Sequence, residues 1–172
     1  MKRVDISAGA ILLLSVIYFF GGMTSLAALL LAVLVHELGH IAAIELCGGR
    51  VHGLKVSVSG LCINCSDAGG TLESVICLCA GPAAGFALAY AASYLGNLSQ
   101  NLLLIKAAGF SLVLSVYNLL PALPLDGGRA LECIARFFGG TVFAQTLLEI
   151  SGMLTGTALL FAGGYFIRRS VG

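Results

Sequence analysis

The chain has 172 residues, of which 59% are hydrophobic and 10% charged, with a mean hydropathy of +1.03 and a formal net charge of +1. A soluble domain carries about 25% charged residues and could not hide this much apolar surface, so the composition indicates a membrane protein. With no basic tract longer than Arg168-Arg169, it also sets nucleic-acid binding aside. The length suits roughly five or six spans of about 20 residues with little left over. The expected fold is therefore an all-α polytopic membrane bundle forming one domain over residues 1–172, with the lipid bilayer as its surroundings.

In chain order, residues from about 6 to 22 form a first apolar segment behind Lys2 and Arg3. No small-x-small cleavage site follows Phe20 and a second apolar segment begins almost at once, so this is read as a retained helix and not a signal peptide. The Gly21-Gly22 pair predicts a tight turn before the second span, 25–46, and the two spans are expected to form an antiparallel hairpin. Across 48–71 the texture changes to glycines and alternation, with Leu54, Val56 and Val58 on one side and Lys55, Ser57 and Ser59 on the other. That period of two predicts a small β-strand or hairpin insertion at the membrane surface.

A third span is expected over about 74–96, where Ala80-Gly81-Pro82 offers small residues for close helix approach. The uncharged turn Asn97 to Asn101 leads to a fourth span over about 102–119. The stretch 118–128, Asn118-Leu119-Leu120-Pro121-Ala122-Leu123-Pro124-Leu125-Asp126-Gly127-Gly128, breaks helical hydrogen bonding in apolar surroundings. Irregular backbone at membrane depth is tolerated only inside protein or along a wet cavity, so Asp126 is expected to face such a cavity. A short helix is predicted over Arg129 to Phe138, and 139–166 fits either one tilted span or a re-entrant hairpin. Lys2, Arg3, Arg50, Lys55, Arg129 and Arg136 fall on one side if spans one to four alternate, which predicts that side to be cytoplasmic. Arg168-Arg169 would join them only in the hairpin option.

The second span contains His36-Glu37-Leu38-Gly39-His40. Each ionisable group at bilayer depth costs roughly 2.5–3.5 kcal/mol on insertion scales, so three within five positions need a reason. Two histidines four apart share one helix face and can reach a single cation. Glu37 points to a different side, which suits it to taking a proton from a water activated by that cation.

A catalytic zinc takes three protein ligands and keeps the fourth position open, so a third ligand is required. Asp126 is the natural candidate, against the alternative that it only N-caps the following helix. His52, in the polar strand region, is the remaining histidine and reads first as a surface residue. Cys62 and Cys65 could chelate a metal, but no second pair completes a four-cysteine site. Cys77 and Cys79 should face different sides of a helix, so structural thiols are the expectation, as for Cys47 and Cys133.

Together, His36-Glu37-Leu38-Gly39-His40, Ala80-Gly81-Pro82, Asn118, Pro121, Pro124 and Leu125-Asp126-Gly127-Gly128 resemble the site-2 protease family of intramembrane metalloproteases, peptidase family M50. The compact form looks most like the bacterial branch that includes sporulation-stage proteases. The resemblance covers roughly residues 5–140. It implies one zinc ion held by His36, His40 and Asp126, Glu37 as general base, Asn118 as a polar helper near the scissile carbonyl, and transmembrane or membrane-associated protein substrates. It also implies an integral protein of the bacterial cytoplasmic membrane with its site towards the cytoplasm. Many relatives carry a PDZ or CBS regulatory domain. The chain has no room for either, and a separate regulatory protein is compatible with that. The rival reading is a non-proteolytic metal-binding membrane protein, either a divalent-metal carrier or an inactive relative that holds substrates. A carrier would need polar groups along the whole membrane depth and no glutamate beside its first histidine.

Overall fold

Long apolar runs must satisfy their backbone internally, which favours helices over any open structure. A computed structural model of the chain describes residues 8–48, 55–57, 60–62 and 70–171, with side chains described for 14–48 and 70–170. Among the described residues there are four helices, α1 (Ala8–Leu46), α2 (Thr71–Ser99), α3 (Leu102–Asn118) and α4 (Asp126–Val171). Between α1 and α2, strands β1 (Lys55–Ser57) and β2 (Gly60–Cys62) pair antiparallel, with Val56 opposite Leu61. Three helical stretches are long and apolar enough to cross a membrane: Leu14–Leu46, Thr71–Ser99 and Asp126–Ser170. Leu102–Asn118 is a shorter apolar helix.

Two of the four, α1 and α4, each join two helical segments across a kink at a glycine. In α1 the non-helical backbone is confined to Gly22 (φ 69°, ψ −176°). The Gly21-Gly22 pair thus marks the joint between the two apolar segments, which meet at a kink there. Gly140 (φ 74°, ψ −175°) plays the same part in α4, which is helical on both sides of it as far as Val171. Of the two options for 139–166, the continuous helix is the one observed. The glycines at 152, 156, 163 and 164 lie inside it.

The α2–α3 connection is tighter than expected. Asn97 and Ser99 remain in α2, with side chains bonded to the carbonyls of Ser93 and Leu95. Gln100 takes the left-handed conformation (φ 51°) and Asn101 caps α3, its Oδ1 accepting from the amides of Leu103 and Leu104. This turn folds α3 back along α2, while α1 packs on both and α4 on α2.

The seams are lined by small side chains. Ala28 and Ala32 of α1 and Ala107, Ala108 and Ser111 of α3 are buried, as are Gly81, Pro82, Gly85 and Ala89 of α2. Lipid tails are as apolar as leucine, so close backbone approach through small residues holds such helices together, and bulky apolar side chains are left facing outward. Phe19, Phe20, Tyr90 and Phe161 are exposed accordingly.

Candidate metal centre

The site begins on the inward stripe of α1. His36 and His40 stand one turn apart and both are buried, at 3% and 7% exposure. Two glycines, one on each helix, let α2 come close: a Cβ on Gly39 of α1 would lie 2.7 Å from the Ala80 carbonyl oxygen, and a Cβ on Gly81 of α2 would lie 2.1 Å from His40 Nε2. The approach delivers the Cys77 carbonyl oxygen to His40 Nδ1 at 2.8 Å. A carbonyl can only accept, so His40 Nδ1 donates, and the tautomer of the neutral ring is set with a bare lone pair on Nε2.

Asn118 ends α3, and the loop after it returns so tightly that a Cβ on Gly127 would lie 2.2 Å from the Leu119 carbonyl oxygen. Glycine at 127 is what lets α4 start there, with Asp126 as its first residue and the Asp126 carboxylate at the histidines. Asp126 Oδ2 lies 3.2 Å from His36 Nε2 and 3.2 Å from His40 Nε2, and the two Nε2 atoms are 3.3 Å apart.

Three electron-rich atoms in a triangle of this size need something positive between them. A proton serves one pair, whereas a cation serves all three. Metal–ligand bonds of about 2.0–2.1 Å in a tetrahedron put neighbouring ligand atoms about 3.3–3.4 Å apart, close to the separations found here. His36, His40 and Asp126 thus form a group that can hold a metal ion, the only such group among the described residues.

Of the other residues singled out in the sequence, Glu37 is buried next to His36, and Asn118 is buried with its Nδ2 3.4 Å from His36 Nε2. Cys77 is buried and Cys79 exposed, on different sides of α2 as their spacing requires. His52 and Cys65 lie outside the described residues, and Cys62 is described only as backbone of β2. Sequence reasoning missed the Cys77 carbonyl as the partner of His40. It read Gly81 as a packing residue without seeing that the packing is against a candidate ligand. The signal available was the Gly81…Gly85 spacing, one helical turn, on the face that meets the histidine helix.

Residues 7–123 match the family described as Peptidase M50B-like. The chain belongs to this peptidase family. The matched stretch carries His36, Glu37, His40, Gly81 and Asn118 and stops ahead of Asp126, which the geometry above brings to the same point. The fold of this M50B-like chain is similar to a solved structure titled Site-2 Protease from Methanocaldococcus jannaschii. The TM-score is 0.72 at 19% identity, over 91% of this chain and 76% of the other. No curated protein matches the chain.

The seating of Gly81 on His40 gives a direct test. Gly81→Ala puts a methyl group where His40 Nε2 now stands, so α2 must withdraw and take the Cys77 carbonyl with it. Overpacking of this kind costs about 1–3 kcal/mol, and loss of a ligand's outer hydrogen bond weakens metal binding about 10–100-fold. Competition with a chelator of known affinity measures the second effect and thermal unfolding the first. Undiminished metal affinity would show that α2 plays no part in holding His40.

Proposed function

We propose that this M50B-like peptidase is an intramembrane zinc endopeptidase that hydrolyses peptide bonds in transmembrane or membrane-associated proteins. The observation that carries the reading is the triangle of His36 Nε2, His40 Nε2 and Asp126 Oδ2, with the Nδ1 proton of His40 already committed to Cys77. Two imidazoles and one carboxylate suit zinc, and a three-ligand set leaves a position open for chemistry. Bound there, zinc supplies a water acidified towards a pKa of about 7 and a polarised peptide carbonyl.

The remaining work falls to this chain's own residues. Glu37, buried beside His36, takes the proton of the attacking water and passes it to the departing amine. Asn118, with its amide 3.4 Å from His36 Nε2, holds the scissile segment by hydrogen bonding at the site's rim. A substrate helix shields its carbonyls with internal hydrogen bonds, so the segment to be cut must become extended before it fits.

The test is metal removal and return. Purified protein in detergent or liposomes is expected to contain about one zinc per chain. It should cut a membrane-protein reporter, lose that activity on chelation, and regain it when zinc is restored at near-stoichiometric amounts. Zinc bound in full with no cleavage of any membrane-embedded reporter would favour a non-proteolytic metal-binding protein instead.

A further inference from the structure

Hydroxyl side chains in these helices share a habit. Ser25, Ser99, Thr146, Thr155 and Thr157 each donate to the carbonyl four residues earlier in their own helix. Such back-bonding is the usual refuge of a hydroxyl in apolar surroundings. Ser115 of α3 departs from it. Its side chain is fully buried, its Oγ has no hydrogen-bond partner, and it is turned towards α2, where a Cβ on Gly85 would lie 2.1 Å away. A buried polar atom left in this state costs about 1–3 kcal/mol.

A second buried orphan belongs to the same layer of the bundle, namely His36 Nδ1. The register of the helices places the two together. Lys106 Nζ reaches Ser25 Oγ at 2.8 Å with a separation of 81 in sequence, and Asn118 Nδ2 reaches His36 Nε2 with a separation of 82. Hence α1 and α3 run side by side in constant register. Ser115, one turn before Asn118 on its buried face, stands alongside the turn that carries His36. On α2, Gly81 faces His40, and Gly85, one turn away, faces Ser115.

The asymmetry between the two histidines gives this meaning. A histidine that binds metal through Nε2 almost always donates its Nδ1 proton to an outer partner, which fixes the tautomer and the ring. His40 has the Cys77 carbonyl. We propose that Ser115 is the positioning residue for His36, its hydroxyl receiving the Nδ1 proton's hydrogen bond through one bridging water in the α1–α2–α3 junction. A water with two or more polar partners in a closed site is an ordinary structural component. Ser111, which donates to the Gly85 carbonyl at 2.8 Å, closes the junction on the far side. The inference rests on the reading of His36 as a zinc ligand.

The experiment compares wild type, Ser115→Ala, Ser111→Ala and His36→Ala as full chains in detergent. Zinc affinity is measured by chelator competition, and the histidine ring protons by nitrogen-15 NMR of the zinc-loaded protein. Ser115→Ala is expected to bind zinc about 10–100-fold more weakly and to lose or shift the His36 Nδ1 proton signal. Ser111→Ala, which removes a hydroxyl from the same seam, should change zinc affinity less than about threefold, well short of the outer-partner range. An equal loss in Ser111→Ala would assign the effect to helix packing and overturn the proposal, as would unchanged affinity in Ser115→Ala. In the wild type, magnetisation transfer from water to the His36 Nδ1 proton is expected. Its absence would overturn the bridge even if Ser115→Ala failed to fold. If His36→Ala keeps its zinc, it is the ligand assignment that falls. If His36→Ala loses zinc while Ser115→Ala does not, only the role of Ser115 falls.

Discussion

Glu37→Gln is expected to keep its zinc and cut nothing measurable. The substitution preserves shape and leaves His36, His40 and Asp126 untouched, so metal content should stay at the wild-type level. What it removes is the group proposed to accept and return a proton. General acid–base contributions of this kind amount to about 10²–10⁴-fold in rate, or about 3–5 kcal/mol of barrier. Glu37 also sits buried in α1, where an amide is easier to accommodate than a carboxylate, so lost activity cannot be put down to misfolding if the thermal midpoint holds or rises. Zinc quantification and a cleavage assay on the same preparation decide the matter. Retained cleavage would remove Glu37 from the mechanism.

Asp126→Ala is the second large effect, and it should strike metal binding first. Asp126 Oδ2 makes two edges of the ligand triangle, 3.2 Å to each histidine Nε2, and its loss leaves two ligands on one helical turn. The fall in zinc affinity should exceed the 10–100-fold typical of outer-shell losses, with activity lost in step. Asp126 also lies in the first turn of α4, where a negative charge contributes about 0.3–1 kcal/mol. That amount is too small to unfold the chain, so the metal effect is separable by circular dichroism. Full zinc occupancy and activity in Asp126→Ala would mean that the carboxylate serves only the helix end, and the third ligand would have to be sought at His52.

The parts of this molecule legible in its sequence are those with a short-range physical rule behind them. The spacing of His36 and His40 fixes a shared helix face. The apolar runs bounded by Gly70 and Asn101 mark the starts of α2 and α3 to within a few residues. Asp126 was legible because two prolines and two glycines in an apolar setting have no other sensible place than the interior. The joint at Gly21-Gly22 was legible as a break between two apolar segments, but not that a single residue would make it. The structure confines the non-helical backbone to Gly22, at φ 69°. For 139–166 the sequence left one tilted span and a re-entrant hairpin open, because glycines in an apolar segment read equally well as interruptions or as helix residues, and the structure is helical from 141 onward. Least visible of all were the Cys77 carbonyl and the closeness of Gly81 to His40. Both depend on how two helices slide against each other, and no local pattern records that.

The three atoms of the triangle come from opposite ends of the chain, His36 and His40 lying 90 and 86 residues from Asp126. An ion held by them ties the first helix to the last and closes a ring of backbone that encloses α2 and α3. Chain closure over so long a loop is entropically expensive, but the expense grows only with the logarithm of length, and a cross-link that spans it constrains the unfolded chain much as a long-loop disulfide does. On the proposed reading, such an ion would be a fastener as well as a reagent. Without it, α4 would keep its approach loop and its packing on α2, with Ala130, Ala135, Ala144 and Leu148 buried. Chemical competence and the integrity of the fold would then share a single knot.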